Sequence, residues 1–267
     1  MNIKRIIISI VPYWVLSFYR SYRRIKRRSR FQGIERPAYY YCVYQGALLA
    51  KRLGHDSISV IEFGVAGGNG LLNLEMHAEK INEELGIKIE IYGFDTEEGL
   101  PSPEDYRDLP YVWQKGFFRM DFEKLRTKLH FAKLVLGDVK ETSQHFVDTY
   151  QPAPIAAVLF DLDYYSSTKA AFCLFDNSTS YMLPRIFTYF DDIIGSNIEL
   201  HGDFMGARLA INEFNVTHES SKFCPVYNLI CREPVETWCH QIFILHLFEH
   251  KHYNTFVGKE NWQLPLT

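Results

Sequence analysis

The sequence lacks a stretch long enough to cross a bilayer. Residues 6 to 18 are apolar and aromatic, but these thirteen residues fall short of the ~20 that a spanning helix needs. It also lacks a signal-peptide layout: most of the positive charge lies after the apolar run, and no small-residue cleavage site follows. No two cysteines form a C-x-x-C pair. The five present (Cys42, Cys173, Cys224, Cys231 and Cys239) are odd in number and scattered. That excludes a disulfide framework and a clustered zinc site, and suits a reduced, cytosolic protein. Without a secretory context, the glycosylation patterns at Asn177-Ser178-Thr179 and Asn215-Val216-Thr217 are chance matches. No repeat or low-complexity segment follows residue 30.

Acidic residues are missing from the start of the chain: the first is Glu35. Residues 1–30 hold nine of the 29 Lys and Arg, so the other 20 and the 32 acids leave the rest at a formal −12. We read residues 1–30 as a basic amphipathic arm and 31–267 as one domain. Tyr13 and Trp14 favour a membrane interface, and the basic cluster from Arg20 favours anionic lipid. The first reading of the arm is therefore an in-plane anchor, peripheral at the inner face of a membrane. The second is a helix packed on the domain or on another subunit, which would make a homo-oligomer. Nucleic acid ranks third.

What is present is a repeated alternation of strands and helices. Apolar runs at 57–63, 89–94, 132–136, 155–160 and 185–190 read as strands, with further strands at 224–231 and 241–248. Helices are expected at 39–53, 71–85, 122–129, 141–150 and 206–214, and over most of 167–183 with an interruption near Asp176-Asn177-Ser178. This is an α/β pattern: a doubly wound, mostly parallel seven-stranded sheet with helices on both faces.

Four strand ends carry the chemistry. The first runs into Gly64-Val65-Ala66-Gly67-Gly68-Asn69-Gly70, a loop through which backbone can approach a nucleotide-like ligand. The spacing is not G-x-G-x-x-G. The second ends in Asp95-Thr96, where an acid suits ribose hydroxyls. The fourth and fifth end in Asp161-Leu162-Asp163 and Asp191-Asp192. If those strands are neighbours, ~5 Å apart, Asp161, Asp191 and Asp192 converge. Oxygen-only ligands favour Mg²⁺, Mn²⁺ or Ca²⁺ over Zn²⁺. The irregular stretch from Glu97 to Gly116 reads as a wall or lid. One or two tyrosines of 39–44 border a pocket, or all serve packing. His246, His250 and His252 are read as surface or packing residues.

Five stretches resemble class I S-adenosylmethionine-dependent methyltransferases. They are Ile61–Gly68, Tyr92-Gly93-Phe94-Asp95-Thr96-Glu97-Glu98-Gly99-Leu100-Pro101, Lys115-Gly116-Phe117-Phe118, Asp161–Thr168, and Asp191-Asp192 with Gly206–Phe214. More narrowly, the chain is similar to the macrocin O-methyltransferases, metal-dependent enzymes that methylate sugar hydroxyls. Glu97 stands where that family has Phe. The resemblance implies a Rossmann-like methyltransferase domain with an antiparallel last strand. It implies that Glu62, Gly64, Val65, Ala66, Gly67 and Gly68 form the cofactor loop. Asp95 and Thr96 would hold the ribose, Asp138 would lie near the adenine, and Asp161 would touch the cofactor as well as the metal. Asp161, Asp191 and Asp192 would bind Mg²⁺ (or Mn²⁺), and Asp163 would be the general base. The expected activity is methylation of a sugar or polyol hydroxyl on a glycan or glycolipid precursor or natural product. The acceptor would be a small molecule or a lipid-linked glycan. The alternatives are an NAD-dependent oxidoreductase and a non-enzymatic protein that binds a cofactor or, through its basic arm, nucleic acid.

Overall fold

In a computed structural model, residues 33–231 and 236–258 are described; the basic arm lies outside the described residues. The apolar runs become seven strands of one sheet in the order β3-β2-β1-β4-β5-β7-β6. They are β1 (Ser57–Phe63), β2 (Lys88–Asp95), β3 (Lys133–Leu136), β4 (Ile155–Phe160), β5 (Met182–Phe190), β6 (Ser221–Pro225) and β7 (Ile242–Leu247). Strands β1 to β5 are parallel, and β7 runs antiparallel to both β5 and β6. This is the expected sheet, including its antiparallel last strand. No helix among the described residues is long and apolar enough to cross a membrane.

Among the described residues seven helices cover the two faces: α1 (Pro37–Arg52), α2 (Asn69–Leu85), α3 (Phe122–Arg126), α4 (Val139–Tyr150), α5 (Tyr165–Ala171), α6 (Gly206–Thr217) and α7 (Tyr227–Ile230). The central strands are buried on both faces, so they read as unbroken apolar runs. One core lies under α1 and α2 and includes Tyr39, Val43, Val60, Leu71 and Leu159. The other lies under α4, α5 and α6 and includes Phe63, Phe146, Phe160, Phe190 and Phe214. Glu75 of α2 is buried and accepts the backbone N–H groups of His130, Phe131 and Ala132 at 2.7–2.9 Å. It fixes the entry into β3.

Three expectations need correction. The helix expected over most of 167–183 is short: α5 tightens into a 3₁₀ turn at Phe172–Asp176. There the Asn177 amide caps the Leu174 carbonyl at 3.0 Å. Met182 and Leu183 already belong to β5, whose register on β4 shifts around Pro184, a residue with no N–H for the ladder. The strand expected at 224–231 ends at Pro225 for the same reason, and α7 follows. The helix at 122–129 closes at Arg126.

Candidate active site

The parallel strands end level. Phe63 of β1 is in register with Phe94 of β2 and Phe160 of β4, and Phe160 with Phe190 of β5. Their rings form a shelf, with centroids 4.7 Å apart for Phe63–Phe94, 5.4 Å for Phe63–Phe160 and 4.6 Å for Phe160–Phe190. Side chains alternate across a sheet. The next residue on each strand therefore faces the side that carries α1: Gly64, Asp95, Asp161 and Asp191. All four line a cavity of about 510 Å³ at the carboxyl ends of the strands, where open α/β sheets bind ligands.

Gly64 has φ +83°, and a Cβ on it would lie 1.7 Å from the Asp161 carbonyl oxygen. Glycine here lets the tips of β1 and β4 touch. Gly67 lines the cavity and a Cβ there meets nothing within 4 Å, so the loop leaves room for a ligand. Asp95 holds the loop in shape. One carboxylate oxygen accepts the N–H groups of Val65 and Ala66, both at 2.9 Å, and the other accepts that of Glu97 at 2.8 Å. Thr96 also lines the cavity, and its hydroxyl donates to the Gly99 carbonyl at 3.2 Å. Asp138 lines the far wall and caps α4 through the Lys140 N–H at 2.9 Å.

Glu62 is buried. One oxygen accepts the Tyr39 hydroxyl at 2.9 Å; the other has no hydrogen-bond partner among the described residues. Burial pushes its pKa up to about 8; the Tyr39 bond and Arg36 pull it back, and Asp161 and Asp95 add repulsion. A buried acid with one oxygen left without a partner on a cavity wall is a point for a ligand's hydrogen-bond donor or positive group to meet.

Strands β4 and β5 are neighbours, and the structure brings Asp161, Asp163, Asp191 and Asp192 together. Desolvation pushes Asp161 up to about 7; Asp191 and Asp163 repel it, and Arg36 opposes them. Desolvation also pushes Asp163 up to about 7, with Asp191 and Glu199 adding repulsion. Asp192 is driven up by desolvation, then by Asp163, Asp161 and Asp191. The cluster is short of positive charge. Its acids instead face protein donors. Tyr189 donates to Asp191, and the Asp163 N–H donates to an Asp192 oxygen at 2.8 Å. Among the described residues no group of three or more His, Cys, Asp or Glu side chains is arranged as a metal-holding cluster. The charge and hard-oxygen chemistry fit a divalent cation, which would have to draw Asp191 and Asp192 off those donors.

Extended-strand alternation does not carry through to Asp163. The strand stops at Phe160, and Asp163 sits at φ +57°. A tight turn, and not the pleat of β4, turns its side chain towards the cavity it lines.

The stretch after β2 is a wall bolted to the domain. Asp108 accepts the Ser166 N–H and hydroxyl, both at 2.8 Å, and the Arg107 guanidinium lies 4.5 Å over the Tyr165 ring. Leu100, Pro101, Trp113 and Phe118 face the cavity from it.

Several lining residues escape sequence reasoning: Arg36, Glu199 and Gln241. Arg36 holds a left-handed conformation just before Pro37, the first residue of α1, and stands 5.0 Å over the Tyr39 ring. The Gln241 amide donates to the Asp191 carbonyl at 2.7 Å. The Arg36-Pro37 pair is a helix-start signal, but nothing in it points to a cavity. His246, His250 and His252 do not line the cavity, whereas the His201 ring lies 3.8 Å from Glu199, which does. His246 pairs with Arg185 near the start of β5 and meets the Tyr253 hydroxyl at 2.8 Å.

No protein-family model matches the chain, and no curated protein does. Solved structures do. The calicheamicin methyltransferase CalS11 is similar at 19% identity and TM-score 0.51, over 76% of this chain and 77% of that one. The O-methyltransferase NovP is similar at 13% identity and TM-score 0.51, over 79% of each chain. At this identity the likeness speaks for architecture: the chain has the Rossmann-like fold of these methyltransferases.

Proposed function

We propose that the protein is an S-adenosylmethionine-dependent O-methyltransferase, assisted by Mg²⁺ or Mn²⁺, that acts on a sugar or polyol hydroxyl. The observation that carries this is the pairing of an orphaned Glu62 oxygen, beside an open glycine loop, with four acids at the next strand tips. A cationic cofactor and a divalent ion suit such a lining. CalS11 and NovP are both methyltransferases, which fits this reading.

The cofactor supplies a methyl group on a sulfonium centre, which leaves as a neutral thioether. Glu62 faces its positive charge, Gly67 leaves it space, and Asp95 orders the loop beneath it. Val65, Ala66, Thr96 and Asp138 complete its walls, whereas Gly68 turns away from the cavity at the start of α2, where a Cβ would lie 2.1 Å from the Leu125 side chain. Asp161, Asp191 and Asp192 would hold the metal, whose Lewis acidity would lower the pKa of a bound hydroxyl. Asp163 accepts the proton of the acceptor hydroxyl, and the wall from Leu100 to Phe118 orients the acceptor and excludes water. The arm, residues 1–30, adds a membrane surface as a proposed partner and makes a lipid-linked glycan a candidate acceptor. An NAD-dependent oxidoreductase is disfavoured by the glycine spacing and by the acidic tips.

Calorimetry with S-adenosylmethionine, S-adenosylhomocysteine and NAD tests the reading. We expect both sulfur compounds to bind and NAD not to; the reverse refutes it. The cationic form should show a pH dependence. Glu62 is held protonated below about pH 8, and a cation binds its ionised form. Affinity for S-adenosylmethionine should therefore rise with pH, by up to about tenfold per unit between about pH 6 and 7.5. In Glu62→Gln that slope should flatten. An unchanged slope would remove Glu62 from the site.

A further inference from the structure

We infer that the mouth of the cavity docks on an anionic membrane surface through two loops of the domain itself, with the arm as a second contact. The first loop follows β2 and exposes Phe117 and Phe118; the second follows β5 and exposes Ile194, Ile198 and Leu200. Ile198 is 70% exposed and Leu200 65%. Large apolar side chains gathered like this mark an interaction surface. The two loops act as one surface, because the Tyr111 hydroxyl of the first donates to the Glu199 carbonyl of the second at 2.8 Å. Phe118 and Ile194 also line the cavity, so the apolar skin runs from the inner wall to the outer rim.

The occupant is chosen by charge. Arg36 lines the same cavity, and Arg30 precedes it by six residues, so the basic arm is within reach of the mouth along the chain. Residues 1–32 carry nine Lys or Arg and no acid, while the rest of the chain is formally −12. The body is thus repelled by an anionic bilayer and the tethered arm is attracted to it. Exposed apolar side chains beside a tethered cation cluster are the two signals that together give stable interfacial binding. A protein partner or a second copy would use the apolar rim but has no need of thirty residues without an acid.

The test is co-sedimentation of the full chain with vesicles of phosphatidylcholine, with and without phosphatidylglycerol. Wild type should bind the anionic vesicles and bind neutral ones much more weakly. The double variant Ile198→Gln with Leu200→Asn should partition about tenfold more weakly. Its urea midpoint and S-adenosylmethionine affinity should stay unchanged, as neither residue lines the cavity. Absence of wild-type binding overturns the inference, as does equal binding by the variant or equal binding to neutral vesicles. Dimerisation by light scattering that the variant abolishes, without vesicle binding, also overturns it in favour of a second copy. The vesicle result is independent of methyl transfer: failure to bind the cofactor would sink the enzyme reading and leave the docking result standing.

Discussion

On the proposed reading, Asp163→Asn should lower methyl transfer by ~10²–10⁴-fold, the usual contribution of a positioned general base, and should leave the affinity for S-adenosylmethionine intact. Asparagine keeps the shape of the side chain. It also tolerates the left-handed backbone found at this position. The N–H that holds Asp192 at 2.8 Å belongs to the backbone and survives the change. What disappears is a carboxylate able to accept a proton on the cavity wall. The check is turnover with labelled cofactor alongside calorimetry on the same preparation. Equal turnover in variant and wild type removes Asp163 from the chemistry. Loss of both turnover and cofactor binding would make it a structural residue.

The second large effect separates two glycines of one loop. Gly64→Ala should unfold the site, at a cost of about 4 kcal/mol or more. The new Cβ would lie 1.7 Å from the Asp161 carbonyl oxygen, and backbone cannot swing aside as a flexible side chain can. The left-handed φ of +83° adds about 1–2 kcal/mol for any residue with a Cβ. The tips of β1 and β4 would be forced apart, and with them Glu62 and Asp161. Gly67→Ala should behave differently. Its Cβ meets no protein atom within 4 Å, so thermal stability should be close to wild type. The methyl group stands where the ligand is expected. Cofactor affinity should therefore fall about tenfold or more, the scale on which one added methyl group disturbs a close fit. Urea unfolding and calorimetry on both variants distinguish the two. Normal stability in Gly64→Ala contradicts the packing described for the strand tips. Normal affinity in Gly67→Ala places the ligand elsewhere.

These features differ in how far the sequence exposes them. The strands β1 and β4 are legible because apolar runs buried on both faces are bounded by Gly, Pro or Asp. The convergence of Asp161 with Asp191 is legible too, since it needs only that consecutive strands of a parallel sheet be neighbours. The direction of Asp163 is not, because a turn interrupts the alternation that would set it. Nor is the work of Asp95, whose oxygens are occupied by the amides of Val65, Ala66 and Glu97. That network joins residues about thirty positions apart in the chain. Arg36 is hidden for a similar reason. Only the packing of α1 against β1, β4 and β5 brings it to the cavity, and α1 carries no motif that states its docking. The short helix after Tyr165 misleads because Phe172 and Leu174 are buried in a 3₁₀ turn, whose apolar spacing over one turn resembles that of an α-helix.

Anomalous diffraction from crystals grown with S-adenosylhomocysteine and Mn²⁺ addresses the acidic cluster directly. We expect one manganese peak within ligand distance of the Asp161, Asp191 and Asp192 carboxylates, with the thioether bound beside Glu62. No peak there at saturating Mn²⁺, or a peak bound by other residues, would contradict the metal assignment and the base role that leans on it.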